Sequence, residues 1–325
     1  MAYKFVQYIF YPSQTQDPAP PYGLPAPYTL QEEARYRAIH MLKVLDYARD
    51  FTPELAGRAP VTGVKNSEIL KIFLAPEFFF RSATGRPDGS GHYSLFDVQC
   101  ARAVIRDGVL KDSRFDDWFV LPGTAIYCQR RANQTRTPVI FNEGWVLARS
   151  TATSPKVEFT TQKRYFSDVD GLDHGKAAML DTSPLAKLRR HVNWQIIEYG
   201  GVYIGFEICL DHRQQALKQT VTTTAPPFLI DIHLLVSCGM EPLRTSVAAR
   251  AGGYFIRCNG NEWATPRAQL FQITAWPGGG VPSFAAAPTV VNHTARMQAQ
   301  HLPAALQIHG PAGNDYIGYS DYFRL

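Results

Sequence analysis

The chain has 325 residues, of which 45% are hydrophobic, 19% charged and 12% aromatic, a composition that excludes disordered, collagen-like and coiled-coil classes. Lysine and arginine exceed aspartate and glutamate by 33 to 28. The excess is scattered in pairs such as Arg130-Arg131 and Arg189-Arg190 rather than gathered in a stripe, so no nucleic-acid partner is expected.

In chain order, the opening MAYKFVQYIFYP reads as a first strand rather than a signal peptide. Gln7 interrupts its apolar stretch and no small-residue cleavage site follows. Residues 12–27 hold six prolines and form a loop, because proline fixes φ and donates no hydrogen bond. Thr29-x-x-Glu32 is a capping box. Behind it Leu30, Ala34, Ala38, Met41, Leu42, Leu45 and Ala48 keep helical spacing. KIFLAPEFFF, residues 71–80, is a continuous apolar run that suits a strand buried on both faces.

A Gly-, Ser- and Arg-rich loop is expected over 81–92 and a second helix over 95–110, through Val98, Ala101, Ile105 and Val109. Strands are expected over 118–128, 138–149 and 157–166, with an irregular stretch over 167–184. Gly200-Gly201 then sits between two β-rich runs as a hairpin turn. Further strands are expected over 228–237 and 254–258, separated by an apolar helix around Thr245 to Ala251. After Trp276 the chain is rich in Gly, Pro, His and Ala and shows no clear period.

Strands alternating with helices imply an α/β protein. With no proline-rich interior linker and no short-period repeat, a single domain over 1–325 is expected, with 277–325 as a C-terminal extension. No apolar run is long enough to span a bilayer, so no membrane partner is expected. Cys100, Cys128, Cys209, Cys238 and Cys258 are odd in number and form neither a CxxC pair nor a cluster with zinc-ligand spacing. A reduced, cytoplasmic protein without metal or cofactor fits this usage.

Two residues stand out chemically. Cys209 follows the strand-like VYIGFEI and precedes LDHRQQALKQ, which reads as the start of a helix. A nucleophile on such a turn is exposed, with backbone N–H groups nearby to hold an oxyanion. The plainer alternative is a small buried residue, the usual state of a free cysteine and the one expected of the other four. Glu77 lies within an apolar run, where a carboxylate is costly unless it is paired or functional. It is either a general base or half of a structural ion pair. Lys163, at the end of a strand-like run, gives a weaker signal.

Taken together, these contexts resemble the nitrilase superfamily of carbon–nitrogen hydrolases, which use a Glu–Lys–Cys triad. LAPEFFF resembles the glutamate motif with Glu77 in place, FTTQKRYF the lysine motif with Lys163, and GGVYIGFEICLDHR the cysteine motif with Cys209. Asn142, between the first two motifs, and AARAGGYFIRCNGNEW, residues 248–263, are further similarities. The resemblance covers about residues 3–275. It implies a four-layer α-β-β-α sandwich, a homodimer or higher homo-oligomer, and a thioester acyl-enzyme formed without metal.

The resemblance also directs attention to the substrate side. Family members commonly carry a second glutamate soon after the lysine. Here Asp168, Asp170 and Asp173 are the acidic residues available, and Asp173 is taken as the candidate. True nitrilases carry Trp-Glu after the cysteine where this chain has Leu210-Asp211, which favours the amidase and carbamoylase branches and a small amide-type substrate. Nitrile hydrolysis, transfer to an amine and a catalytically silent binding protein are the alternatives. Leu210, Ser237 and Cys238 are expected to shape the acyl pocket, with Phe78 to Phe80 and Tyr165 either lining it or packing in the core. Asp211 and Arg213 are expected to be structural.

Overall fold

The computed structural model describes residues 3–15, 19–50, 64–85, 90–129, 139–149, 156–165, 195–223, 229–261, 266–279, 282–283, 286–309 and 315–325. Strand β1 (Phe5–Phe10) leads through helix α1 (Leu30–Asp50) to β2 (Ile69–Leu74). The capping box forms as expected: Thr29 Oγ1 accepts the Glu32 N–H and the Glu32 carboxylate accepts the Thr29 N–H. After β3 (Tyr93–Ser94) comes α2 (Leu95–Leu110), capped by Ser94 and Asp97, then β4 (Trp118–Leu121), β5 (Thr124–Gln129), β6 (Val139–Arg149) and β7 (Val157–Gln162). These strands belong to one sheet, in which β1, β2 and β4 run parallel.

The second sheet starts with the hairpin β8 (Ile196–Tyr199) and β9 (Val202–Ile208), turning at Gly200 and Gly201, both with positive φ. A single helical turn α3 (Leu210–Arg213) and helix α4 (Ala216–Thr223) lead to β10 (Ile230–Ser237), β11 (Ala249–Asn259) and β12 (Ala268–Ala275). Strands β9, β10 and β11 are parallel neighbours.

Strand periodicity sorts the side chains into layers. Val6, Tyr8 and Phe10 of β1 and Leu70, Ile72 and Leu74 of β2 share one buried cluster with Ile204, Phe206 and Ile208 of β9 and Ile232, Leu234 and Val236 of β10. That is the seam between the sheets, where the Phe119 and Phe206 rings stack at 5.7 Å. On the opposite face of the first sheet, Met41, Val44 and Leu45 of α1 and Ile105 and Val109 of α2 pack on Phe73, Val120 and Trp145. On the opposite face of the second, Leu217 and Val221 of α4 pack on Ile230 and Ala248. The architecture is therefore an α-β-β-α sandwich, as expected from the motifs. Among the described residues no helix is long and apolar enough to cross a membrane.

Three local expectations are corrected. The apolar run 71–80 stops being a strand at Leu74, and Glu77 to Phe79 form a turn in which Phe78 has φ 65°. The run 118–128 is two strands, because Gly123 turns between them at φ 94°. Any Cβ there would lie 2.6 Å from the Pro76 carbonyl oxygen, so the glycine permits this turn to press on the Glu77 segment. No helix spans 245–251: a short 3-10 turn covers Arg244–Ser246 and β11 begins at Ala249. Gly252 adopts φ 84°, and a Cβ on Gly253 would meet the Asp231 carbonyl oxygen at 2.4 Å, so this stretch bulges against β10 instead of coiling.

Beyond residue 276 the chain adds to both sheets. Strand β13 (Thr289–Asn292) pairs with β12, β14 (Gln298–His301) with β15 (Tyr316–Tyr319), and β15 and β16 (Phe323–Arg324) both pair with β1.

Candidate active site

Three strand ends meet at the same edge of the sandwich. Glu77 lies three residues beyond β2, Lys163 directly follows β7, and Cys209 directly follows β9. All three side chains are buried, Glu77 completely. Glu77 Oε1 accepts hydrogen bonds from Lys163 Nζ at 2.8 Å and from Asn142 Nδ2 at 2.8 Å. Its Oε2 accepts the backbone N–H of Cys238 at 3.0 Å, just past the end of β10. The glutamate is thus oriented by groups from both sheets, and the cost of burying its charge is offset by three donors, one of them cationic.

The backbone around it is equally constrained. Thr15 Oγ1 donates to the Glu77 carbonyl oxygen at 2.5 Å, and Thr124 Oγ1 accepts the Phe78 N–H at 3.0 Å. The Lys163 N–H donates to the Asn142 carbonyl at 2.9 Å, and the ammonium lies 5.6 Å over the Phe78 ring. Asn142 therefore holds Glu77 through its side chain and Lys163 through its main chain.

Cys209 occupies φ 48°, ψ −107°, a strained conformation for a residue with a side chain. Its N–H donates to the Val236 carbonyl at 2.9 Å and its carbonyl accepts the His212 N–H at 3.0 Å, which fixes the sharp turn from β9 into α3. Two residues on, the buried carboxylate of Asp211 accepts the N–H groups of Arg164 and Tyr165, the residues that follow Lys163. Burial pushes Asp211 up to about 8, against the opposing pull of those N–H groups and of Lys163. Asp211 thus ties the turn after Cys209 to the segment that follows Lys163.

Behind the turn lies a second polar cluster, which the sequence reading missed. Glu207, His212 and His233 are fully buried. Glu207 Oε2 meets His212 Nδ1 at 2.7 Å and His233 Nε2 at 3.0 Å, and its Oε1 accepts the Leu217 N–H at 2.7 Å. The far nitrogens face donors: His212 Nε2 meets the Leu243 N–H at 3.0 Å and His233 Nδ1 the Ala248 N–H at 3.2 Å. Each far nitrogen must therefore accept, and each near nitrogen must carry the ring proton that Glu207 receives.

A two-histidine, one-carboxylate set resembles a metal site. A metal, however, would need the near nitrogens bare and the far ones protonated, turning each far N–H against a backbone N–H. The donor set does not fit a cation. Burial alone would raise the Glu207 carboxyl, but the bonds from His212 and His233 win and bring it to about 2. Burial lowers His233. A signal was available in sequence: Glu207 and His233 are polar positions flanked by apolar residues in β9 and β10, on the faces away from the sheet seam.

The other expected site residues divide. Cys238 is brought beside Glu77, and burial pushes its thiol up to about 12. Ser237 is buried, its Oγ donating to the Met240 carbonyl at 3.4 Å and its carbonyl accepting the Gly260 N–H. Leu210 is half-buried next to the cysteine. Asp168, Asp170 and Asp173 lie outside the described residues. Phe79 and Phe80 pack in the core under the helices, whereas Phe78 joins Cys238, Ile126 and Ile140 beside Glu77. Tyr165 and Arg213 are exposed.

Within the 248–263 motif, Asn259 Oδ1 accepts the Gly239 N–H at 2.8 Å, and so steadies the turn that presents Cys238. A Cβ on Gly260 would lie 1.9 Å from Thr15 Oγ1, which explains the glycine there.

In sequence, no family model matches the chain, and no curated protein matches it. In structure it is similar to an amidase from Nesterenkonia sp., at 11% identity and a TM-score of 0.44, covering 100% of this chain and 90% of that one. A variant of the Nesterenkonia AN1 amidase, from the nitrilase superfamily, matches at 11% identity and a TM-score of 0.45 over 100% and 91% of the two chains. A glutamine-dependent NAD+ synthetase from Acinetobacter baumannii matches at 12% identity and a TM-score of 0.41, covering 99% of this chain and 48% of that one.

Proposed function

We propose that this chain is a carbon–nitrogen hydrolase that cleaves the amide or N-carbamoyl bond of a small substrate, with Cys209 as nucleophile, Glu77 as general base and acid, and Lys163 as oxyanion partner. The observation that carries this reading is the buried Glu77–Lys163 pair, joined at 2.8 Å and fastened by Asn142 and Cys238 at the edge where the strained Cys209 turn emerges.

An ordinary thiol, with a pKa near about 8.5, is only slightly ionised at neutral pH, so a base must assist it. Glu77 takes the Cys209 proton as sulfur attacks the carbonyl carbon, and the carbonyl π electrons move to oxygen. The Lys163 ammonium and the backbone N–H of Leu210 stabilise that oxyanion. As the tetrahedral intermediate collapses, the C–N bond breaks, and Glu77 returns the proton to the departing nitrogen. The resulting thioester is attacked by water, Glu77 again accepting a proton. The acid leaves and the thiol is restored. The Lys163–Glu77 pair supports a shared placement of base and oxyanion partner, because one bond sets both.

The test is to incubate the protein with a panel of aliphatic amides and N-carbamoyl compounds, read ammonia release, and search by intact-mass spectrometry for an acyl adduct on Cys209. Turnover with an adduct at Cys209, abolished in Cys209→Ala without loss of fold, is the expected result. Turnover that survives in Cys209→Ala overturns the mechanism.

A further inference from the structure

We infer that Glu207, loaded by the ring protons of His212 and His233, is a positioning residue that sets the placement of the Cys209 thiol. The inference rests on the reading of Cys209 as nucleophile and adds to it a determinant outside the triad. Glu207 stands two residues before Cys209 on β9, and His212 stands three residues after it in α3. One carboxylate oxygen takes the proton-bearing nitrogens of His212 and His233, and the other takes the Leu217 N–H at the start of α4. A single buried group thereby joins the strand entering the turn, the helix leaving it, the neighbouring strand β10 and the next helix.

The Cys209 conformation needs such bracing, since a strained backbone persists only where its surroundings over-determine it. The network is also closed in a directional sense. Glu207 only accepts, and each histidine donates to Glu207 and accepts from a main-chain N–H, at Leu243 or Ala248. Reversing any member sets donor against donor. An amide at position 207 offers one oxygen and one NH2 where three donors converge, so it cannot reproduce the carboxylate.

The experiment measures alkylation of Cys209 by iodoacetamide in the full chain, mapped by mass spectrometry across pH 5–9 (roughly the range over which thiols and imidazoles titrate). It needs no knowledge of the substrate. Two substitutions at one position decide it. His212→Asn places an amide NH2 where Nδ1–H stood and keeps the donor to Glu207. His212→Gln places its amide at the Nε2 site and loses that donor. His212→Asn is expected to label within about threefold of wild type, while His212→Gln and Glu207→Gln label at least about tenfold more slowly with an altered pH profile. Circular dichroism and thermal melts confirm that each is folded at the assay temperature.

Equal labelling of His212→Asn and His212→Gln, fast or slow, overturns the inference, as does wild-type labelling in Glu207→Gln. If Glu207→Gln does not fold, the His212 pair still decides. Wild-type Cys209 reacting no faster than in the denatured chain overturns the nucleophile reading itself. Fast wild-type labelling with unaffected variants overturns only the role of Glu207.

Discussion

The carboxylate of Asp211 accepts the N–H of Arg164 at 2.9 Å, so the segment that carries Lys163 is fastened to the turn that carries Cys209. Asp211 Oδ1 also accepts the Tyr165 N–H at 2.8 Å. Cys238 and Glu77 form the matching tie from the other side. The proposed catalytic groups are held by bonds between strand ends that belong to different sheets, and each of those bonds can be tested.

Asp211→Leu removes every acceptor and leaves the part-buried N–H groups of Arg164 and Tyr165 without it, which loosens the tie between the lysine segment and the cysteine turn. Asp211→Asn retains an oxygen at the Oδ1 position, which serves both donors. The expected order of activity is wild type, then Asn, then Leu, with the Leu variant down by at least about tenfold in kcat. Steady-state kinetics with thermal melts check it, and wild-type kcat in the Leu variant would contradict the tie.

Asn142→Leu deletes one donor to the Glu77 carboxylate. Hydrogen bonds to charged groups contribute roughly 1.5–3 kcal/mol, so a fall in kcat of about 10- to 100-fold is expected if that bond orients the base. Asn142→Asp faces Glu77 with a like charge and is expected to be worse. Ammonia release by the two variants distinguishes them, and an Asp variant more active than the Leu one would rule out this account.

Glu207 titrates at about 2 in the folded chain against an ordinary 4.5. A carboxyl lowered by folding adds stability above its unfolded value, and that stability is lost as pH falls from 4.5 toward 2. Urea melts through this window should show a steeper acid decline in wild type than in Glu207→Gln. Parallel declines would mean that the histidine bonds do not hold the charge.

Lys218 is a buried cation in α4 whose ammonium donates to the carbonyls of Thr245 at 2.7 Å and Ala286 at 2.5 Å and sits 5.0 Å over the Trp276 ring. Burial brings it down to about 8 from an ordinary 10.5. Below 8 both the folded and the unfolded chain carry the proton. Between 8 and 10.5 the folded chain sheds it first, so stability from this group rises with pH across that window. Denaturant melts from pH 8 to 10.5 should show that upward contribution in wild type and lose it in Lys218→Met. Identical profiles would refute it.

Much of the molecule is legible in local pattern. Helix α2 occupies the expected 95–110, the Gly200-Gly201 hairpin forms, and Glu77, Lys163 and Cys209 each stand in a short recognisable context. Other features depend on partners remote in sequence. The apolar run 71–80 does not announce its turn at Glu77, because the reason for it is Gly123 pressing from another connection. The stretch around Thr245 to Ala251 reads as an apolar helix, yet the two glycines that follow it fit a bulge against Asp231. Glu207 and His233 are polar positions on two different strands, each flanked by apolar residues, and only the β9–β10 register unites them. The short strands after residue 276 have no period to detect, since their pairing is with β12 and β1.

That last pairing bears on how the protein is made. The N–H of Tyr8, in β1, donates to Ser320 Oγ across 312 residues, and the Ser320 N–H returns a bond to the Tyr8 carbonyl. At translation speeds of about 5–20 residues per second, the outer edge of β1 stays unpaired for roughly 15–60 s. An open, largely apolar strand edge is a template for pairing with other nascent chains. The vulnerable interval is therefore the stretch of synthesis between β1 and β15, which closes when β15 and β16 reach back to cover β1.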